Sequence, residues 1–260
     1  MQILFIGDII GKPGRKTVSL LLPLILKEHK VEFILANAEN AAGGFGLTSE
    51  IAQELFTYGV DCLTNGNHLW DKKEIISHLD SSERILRPAN YPPGVPGFGS
   101  TVLKTKNGFL VGVINIQGRI FIQEIDCPFR TVDREIERIR NRTKMIIVDV
   151  HAEVTSEKVA LGWYLDGRVS CVIGTHTHVQ TADEHILPQG TAYITDVGMT
   201  GGFDSVIGVE KEAVIKRFLT QMPCKFEPAK NDLRLNAVLL EIDPETGQAK
   251  KIKRVEERVA

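Results

Sequence analysis

Apolar residues along this chain gather into short unbroken runs, separated by stretches with helical spacing. QILFIG (2–7) and VEFILAN (31–37) show no polar alternation, which predicts strands buried on both faces. Between them, Arg15 to His29 reads as a helix, with Pro13 near its start, where proline is tolerated. Leu47 to Tyr58 predicts a second helix, with Thr48 or Ser49 as N-cap, an apolar face at Ile51, Leu55 and Phe56, and Gly59 as its stop. VDCLT (60–64) predicts a third strand, and Asp71 to Leu79 a further helix.

The Pro/Gly-rich stretch 88–99 is a loop and a boundary between halves. Beyond it, 100–106 and 109–116 predict an antiparallel hairpin turning at Asn107-Gly108. A helix (131–142), a strand (144–150), a helix (155–165), a strand (168–174) and a terminal strand pair (234–242, 249–256) follow. This alternation with hairpins predicts a layered α/β fold with mixed strands.

The residues just after the apolar strands change the picture from fold to chemistry. The strands end at Asp8, at Glu39 and Asn40, at Asn67 and His68, at His151, and at His176 and His178 in GTHTH. In open α/β sheets, ligands bind outside the carboxyl ends of the strands, so neighbouring strands would bring these side chains to one place. His176 and His178, at alternate positions on an extended chain, would point to one side.

Carboxylate, amide carbonyl and imidazole suit a borderline-hard metal such as Mn, Fe or Zn. Asp8, Glu39, Asn40, Asn67, His151, His176 and His178 are too many for one ion. Two ions bridged by one carboxylate are the arrangement used for in-line displacement at phosphorus. Singly, each has a plainer explanation: Asp8 as a helix cap, Asn67 as a turn residue, His151 as a core histidine. Five coincidences at five strand ends make that explanation untenable.

His29 and His78 read as surface residues, and His185 follows GTHTH closely enough to approach a substrate. GDIIGKPG fails as a phosphate loop, with three residues between Gly7 and Gly11 and Pro13 after Lys12. Gly43-Gly44 and Gly201-Gly202 read as loops that let a substrate come close.

Composition adds bounds. The chain has 260 residues, 43% hydrophobic and 25% charged, with 31 basic against 33 acidic side chains and a formal charge of −2. That describes an ordinary globular protein without a broad basic nucleic-acid surface, and leaves enzymes of small nucleotides open. The four cysteines lie far apart, which argues against a zinc knuckle or disulfide framework and makes a reducing cytoplasm the expected setting. MQILFIGD lacks the basic region of a signal peptide, and the longest apolar stretch, Val18 to Leu26, is too short to span a bilayer.

Taken together, GD (Gly7-Asp8), GNH (Gly66-Asn67-His68), the strand-end His151 and GTHTH resemble the calcineurin-like metallophosphoesterases, in that family's order. The usual D-x-H is D-I-I here, so Ile10 replaces a histidine, and Glu39 in NAEN stands for the usual bridging aspartate. These departures, with THTHVQTADE and ITDVGMTGG, resemble the YmdB-like subfamily of bacterial phosphodiesterases.

The resemblance implies a four-layer sandwich, two central mixed β-sheets flanked by helices, in a single metallophosphoesterase domain over 1–260. It implies one ion on Asp8, Glu39, Asn40 and His178 and another on Glu39, Asn67, His151 and His176, iron or manganese, with Glu39 bridging. It further implies a phosphodiesterase of 2′,3′-cyclic nucleotides, with in-line attack by a bridging hydroxide and His68 as proton donor.

The expected partner is a small phosphodiester or nucleotide, with no membrane; a homo-oligomer stays open. A phosphomonoesterase or protein phosphatase, or a metal-bound nucleotide sensor with negligible turnover, stays open too. The apolar residues of 91–98 and 120–129 suggest an interface or a lid, with a core hairpin an equal explanation for the second.

Overall fold

The apolar runs become the inner strands of two sheets. In the computed structural model, which describes residues 1–260, the chain starts with β1 (Gln2–Ile6), β2 (Asp8–Ile9), α1 (Gly11–Glu28), β3 (Val31–Asn37), α2 (Ser49–Thr57) and β4 (Cys62–Thr64). Tight 3-10 turns at Asn67–Asp71 and Lys73–Ile75 lead into α3 (Ile76–Leu79) and the hairpin β5 (Ser100–Lys104) and β6 (Leu110–Gln117). Then come α4 (Pro128–Ile139), β7 (Ile146–His151), α5 (Thr155–Leu165) and β8 (Cys171–Thr175). β9 (His185–Ile186), β10 (Ala192–Ile194), β11 (Met199–Gly202), α6 (Lys211–Thr220), β12 (Leu233–Ile242) and β13 (Ala249–Arg258) complete it.

One sheet has the order β2-β11-β12-β1-β3-β4, with β13 also on β12; the other has the order β5-β6-β7-β8-β10-β9. β1, β3 and β4 are parallel neighbours, as are β6, β7 and β8. Both sets therefore end at one edge of their sheet. The faces between the sheets carry Ile3, Phe5, Phe33 and Leu35 against Val113, Ile147, Cys171 and Ile173, all buried. Burying each large side chain there contributes about 1.5–3 kcal/mol. α1 and α2 cover the outer face of the first sheet through Leu21, Leu22, Ala52 and Leu55. α4 and α5 cover the second through Val132, Ile136, Leu161 and Leu165. The result is the expected four-layer α/β sandwich. No helix is long and apolar enough to cross a membrane.

Several local expectations are corrected. Residues 71–79 do not form one helix: Lys72 is extended (φ −109°, ψ 97°), and Gly46 packs so closely that a Cβ there would lie 3.1 Å from the Lys72 nitrogen. α1 begins four residues earlier than the pattern suggests, because Gly14 lets its first turn lie on β11; a Cβ there would collide with the Thr200 carbonyl. Gly201-Gly202 is no substrate loop. It lies in the buried strand β11, where Gly202 leaves room for the Ala229 carbonyl. Residues 118–126 hold no strand, so the core-hairpin alternative fails, and Phe121 is 91% exposed. Tyr91, by contrast, is buried and donates to Gln117 and Gln123.

Candidate metal centre

The strand ends converge, each by its own local device. β3 ends at Asn37, whose side-chain oxygen accepts the Glu39 N–H at 3.1 Å and turns the Glu39 carboxylate inward. Past β4, Gly66 brings the chain against the cluster: a Cβ there would collide with the His151 ring and fall 2.5 Å from Glu39 Oε2. Only glycine fits, and its absent side chain lets Asn67 and His68 follow at close quarters. The His68 N–H donates to Glu39 Oε2 at 3.1 Å.

His151 closes β7, and His176 and His178 lie just past β8. They are not on extended chain as their spacing suggests. Both take left-handed backbone, φ 98° and 66°, so a turn and not the pleat aims them inward. Such strain persists where surrounding contacts over-determine it.

Among the sequence-derived candidates, Glu39, His151 and His176 offer ligand atoms within 4.8 Å of one another. Glu39 Oε1 lies 3.0 Å from His151 Nε2, which is 2.9 Å from His176 Nδ1. On the other flank, Asn40 Nδ2 reaches Glu39 Oε1 and His178 Nε2, each at 3.2 Å, and His178 Nε2 stands 3.8 Å from Asp8 Oδ1. These contacts join six of the seven expected residues, Asp8, Glu39, Asn40, His151, His176 and His178; Asn67 follows Gly66, which packs against His151 and Glu39. Three oxygens of the seven, Oδ1 of Asp8, Asn40 and Asn67, are buried without a hydrogen-bond partner. Such groups are costly unless something else satisfies them.

The electrostatics describe a place for positive charge. Burial drives the Asp8 carboxyl up to about 7, against the pull of His178 and His151. Burial would raise Glu39 as well, but the charge and hydrogen bond of His151, helped by His68 and His176, bring it down to about 2. Burial would lower His151, yet Glu39, Asp8 and Asp149 push it up to about 9. His176, desolvated and beside the His151 charge, falls to about 3.

Behind these residues lies a second ring that the strand-end pattern did not reveal. Thr175 Oγ1 donates to the buried Asp149 carboxylate at 2.8 Å and so accepts from His151 Nδ1–H at 2.9 Å, which turns Nε2 toward the cluster. The Ile207 carbonyl, 2.9 Å from His178 Nδ1, fixes that ring in the same sense. Glu153 holds His176 Nε2 at 3.1 Å, and Asp71 holds His68 Nδ1 at 2.8 Å. Outer partners of this kind orient ligands and set their tautomers.

Beneath the GTHTH turn, Lys158 Nζ donates to the Thr175 carbonyl at 2.8 Å and to Asp196 Oδ2 at 2.7 Å. Asp196 also accepts from Thr177 N, Thr177 Oγ1 and Gly198 N. Asp149 was findable two positions before His151 on the same strand face, and Asp196 as one more strand-end carboxylate, after β10. Lys158 sits in the apolar stripe of α5 with Leu161, Gly162 and Leu165, an anomaly visible in the spacing.

The cluster opens into a cavity of about 330 Å³ lined on one part by Glu39, Asn40, Gly43, Gly44, His68, His176 and His178. His185 does not line it; it is exposed in β9 with its ring 5.7 Å from that of Tyr193.

Comparison with known proteins agrees with this architecture. The model of the family described as YmdB-like protein matches residues 4–255. The chain is 51% identical over 255 residues to a Bacillus subtilis (strain 168) protein named 2′,3′-cyclic-nucleotide 2′-phosphodiesterase, covering 98% of this chain and 96% of that one. A crystal structure of a hypothetical protein from Thermus thermophilus superimposes with a TM-score of 0.92 at 44% identity, covering 99% of both chains. A crystal structure titled as a novel phosphatase from Mycoplasma pneumoniae gives a TM-score of 0.92 at 33% identity, over 99% of this chain and 93% of that one.

Proposed function

Because the chain belongs to the YmdB-like family, we propose that it is a dinuclear metal-dependent phosphodiesterase hydrolysing 2′,3′-cyclic nucleotides, with residues 1–260 acting as one domain. The observation that carries the metal reading is the trio of buried, unpaired oxygens on Asp8, Asn40 and Asn67, next to the Glu39–His151–His176 cluster. Oxygen and imidazole donors without a thiolate fit iron or manganese. Asp8, Glu39, Asn40 and His178 would hold one ion, and Glu39, Asn67, His151 and His176 the other, with Glu39 shared. When bound, the two ions supply Lewis acidity that makes water nucleophilic near neutral pH and offsets charge on the phosphoryl oxygens.

The chain's own residues do the rest. Hydrolysis of a 2′,3′-cyclic phosphodiester at the 2′ position joins a water oxygen to phosphorus and breaks the phosphorus–O2′ bond, so O2′ leaves needing a proton. His68, lining the cavity, donates it. To act as the donor His68 must carry both ring protons: the Asp71 carboxylate, which can only accept, takes the Nδ1–H at 2.8 Å, and the second proton, on Nε2, is the one passed to O2′. General-acid assistance of this kind contributes roughly 10²–10⁴-fold. The site draws on both sheets, and the C-terminal hairpin completes the first of them, which supports a single functional unit.

The test is a substrate panel on metal-loaded protein: 2′,3′-cAMP, 3′,5′-cAMP and an aryl phosphate monoester. Turnover of 2′,3′-cAMP to adenosine 3′-monophosphate is expected. Hydrolysis of the monoester alone would identify a phosphomonoesterase, and saturable nucleotide binding without hydrolysis a sensor.

A further inference from the structure

The catalytic cavity has an apolar wall for which the chemistry above has no use. Ile207, Val209, Phe226 and Pro228 line the same 330 Å³ space as Glu39, His68 and His178. Ile207 is the anomaly. Its backbone is left-handed, φ 45°, which for a β-branched side chain is a true outlier, and its side chain is 51% exposed.

The backbone conformation has a visible purpose. The Ile207 carbonyl accepts from His178 Nδ1, and the loop is pinned around it by Gly208 N to Ser205 Oγ at 3.0 Å and Val206 N to Val209 O at 2.9 Å. Glycine at 207 would offer the same carbonyl without strain. The isoleucine side chain therefore answers to something else, and what it adds is apolar surface on the cavity beside the metal ligands. Strained residues of this kind mark functional positions.

We propose that Ile207, with Phe226, forms the subsite that packs against the nucleobase of the substrate and thereby selects nucleotides over smaller phosphoesters. This rests on the nucleotide reading above. A base presents flat apolar faces, and an apolar wall contiguous with the phosphate-binding end lets one ligand reach both.

The experiment is calorimetric titration of adenosine 3′-monophosphate and of inorganic phosphate into the metal-loaded wild type, Ile207→Gly and Phe226→Ala. Packing one base contributes enough that the wild type should bind the nucleotide about tenfold or more tightly than phosphate. Both variants should lose most of that preference, and Ile207→Gly should melt no lower than the wild type, since it relieves strain. Equal nucleotide preference in all three proteins would overturn the proposal. So would loss of phosphate affinity along with nucleotide affinity, because Ile207 would then act only through His178. Binding is read without turnover, so failure of the substrate panel and failure of this subsite are separate results.

Discussion

Replacing Lys158 with methionine tests whether the GTHTH turn is held from below. Lys158 and Asp196 are 1% and 0% exposed, and their 2.7 Å contact is an ion pair within the fold. Methionine keeps most of the apolar stem, so little cavity is created, and the main loss is charge. Removing one partner of a buried pair costs about 3–5 kcal/mol, because the other charge is left uncompensated. Asp196 retains hydrogen bonds from Thr177 and Gly198, which places the expected loss near the bottom of that range, at about 3 kcal/mol. For a chain of this size that is roughly 6–12 °C in melting temperature.

The same change frees the Thr175 carbonyl directly before the strained His176. Metal affinity should fall roughly 10–100-fold, as with other partners of ligand-bearing residues. Denaturant titration of metal-free protein and calorimetric titration with Mn²⁺ read the two effects separately. A stability loss below about 1 kcal/mol would refute the ion-pair argument. A full stability loss with unchanged metal affinity would refute the positioning role. Adding Asp196→Asn to Lys158→Met should restore at least half of the lost stability, since the stranded charge disappears.

Three further outcomes follow from the site. His68→Ala should retain two metals by elemental analysis yet lose roughly 10²–10⁴ in turnover on poor leaving groups; unchanged turnover there would remove His68 from the mechanism. Glu39→Ala should lose both ions, and two ions retained would rule out its bridging role. In metal-free protein His151 is pushed up to about 9 and Asp8 to about 7, so at neutral pH His151 is largely and Asp8 about half protonated, and metal binding must displace those protons. Metal affinity should therefore rise with pH between 7 and 9, with proton release visible in calorimetry across buffers of different ionisation enthalpy. A flat affinity over that range would contradict the protonated His151.

The sequence alone determined most of the strands and helices and the polar residues that follow the strands. Short apolar runs such as VEFILAN, bounded by polar residues and too short for a typical helix, read as buried strands, and the polar residue that ends such a run faces whatever lies beyond the sheet. That is why Asp8, Glu39, Asn40, Asn67, His151, His176 and His178 stand out in the chain itself as candidate donors. The match to α2 with its Thr48 cap, and to α5 at 155–165, has the same local origin.

Tertiary structure alone decided how the site is held. The left-handed turns at His176, His178 and Ile207 come from contacts far away in the chain, so no local preference encodes them. β10 and β11 lack strong runs and form because neighbouring strands offer edges to them. Lys158 and Asp196 are 38 positions apart, and a charge buried in a helix stripe is intelligible only once its partner stands 2.7 Å away. Candidate donors gather at strand ends and are written locally; their orientation is a property of packing, which only the folded chain supplies.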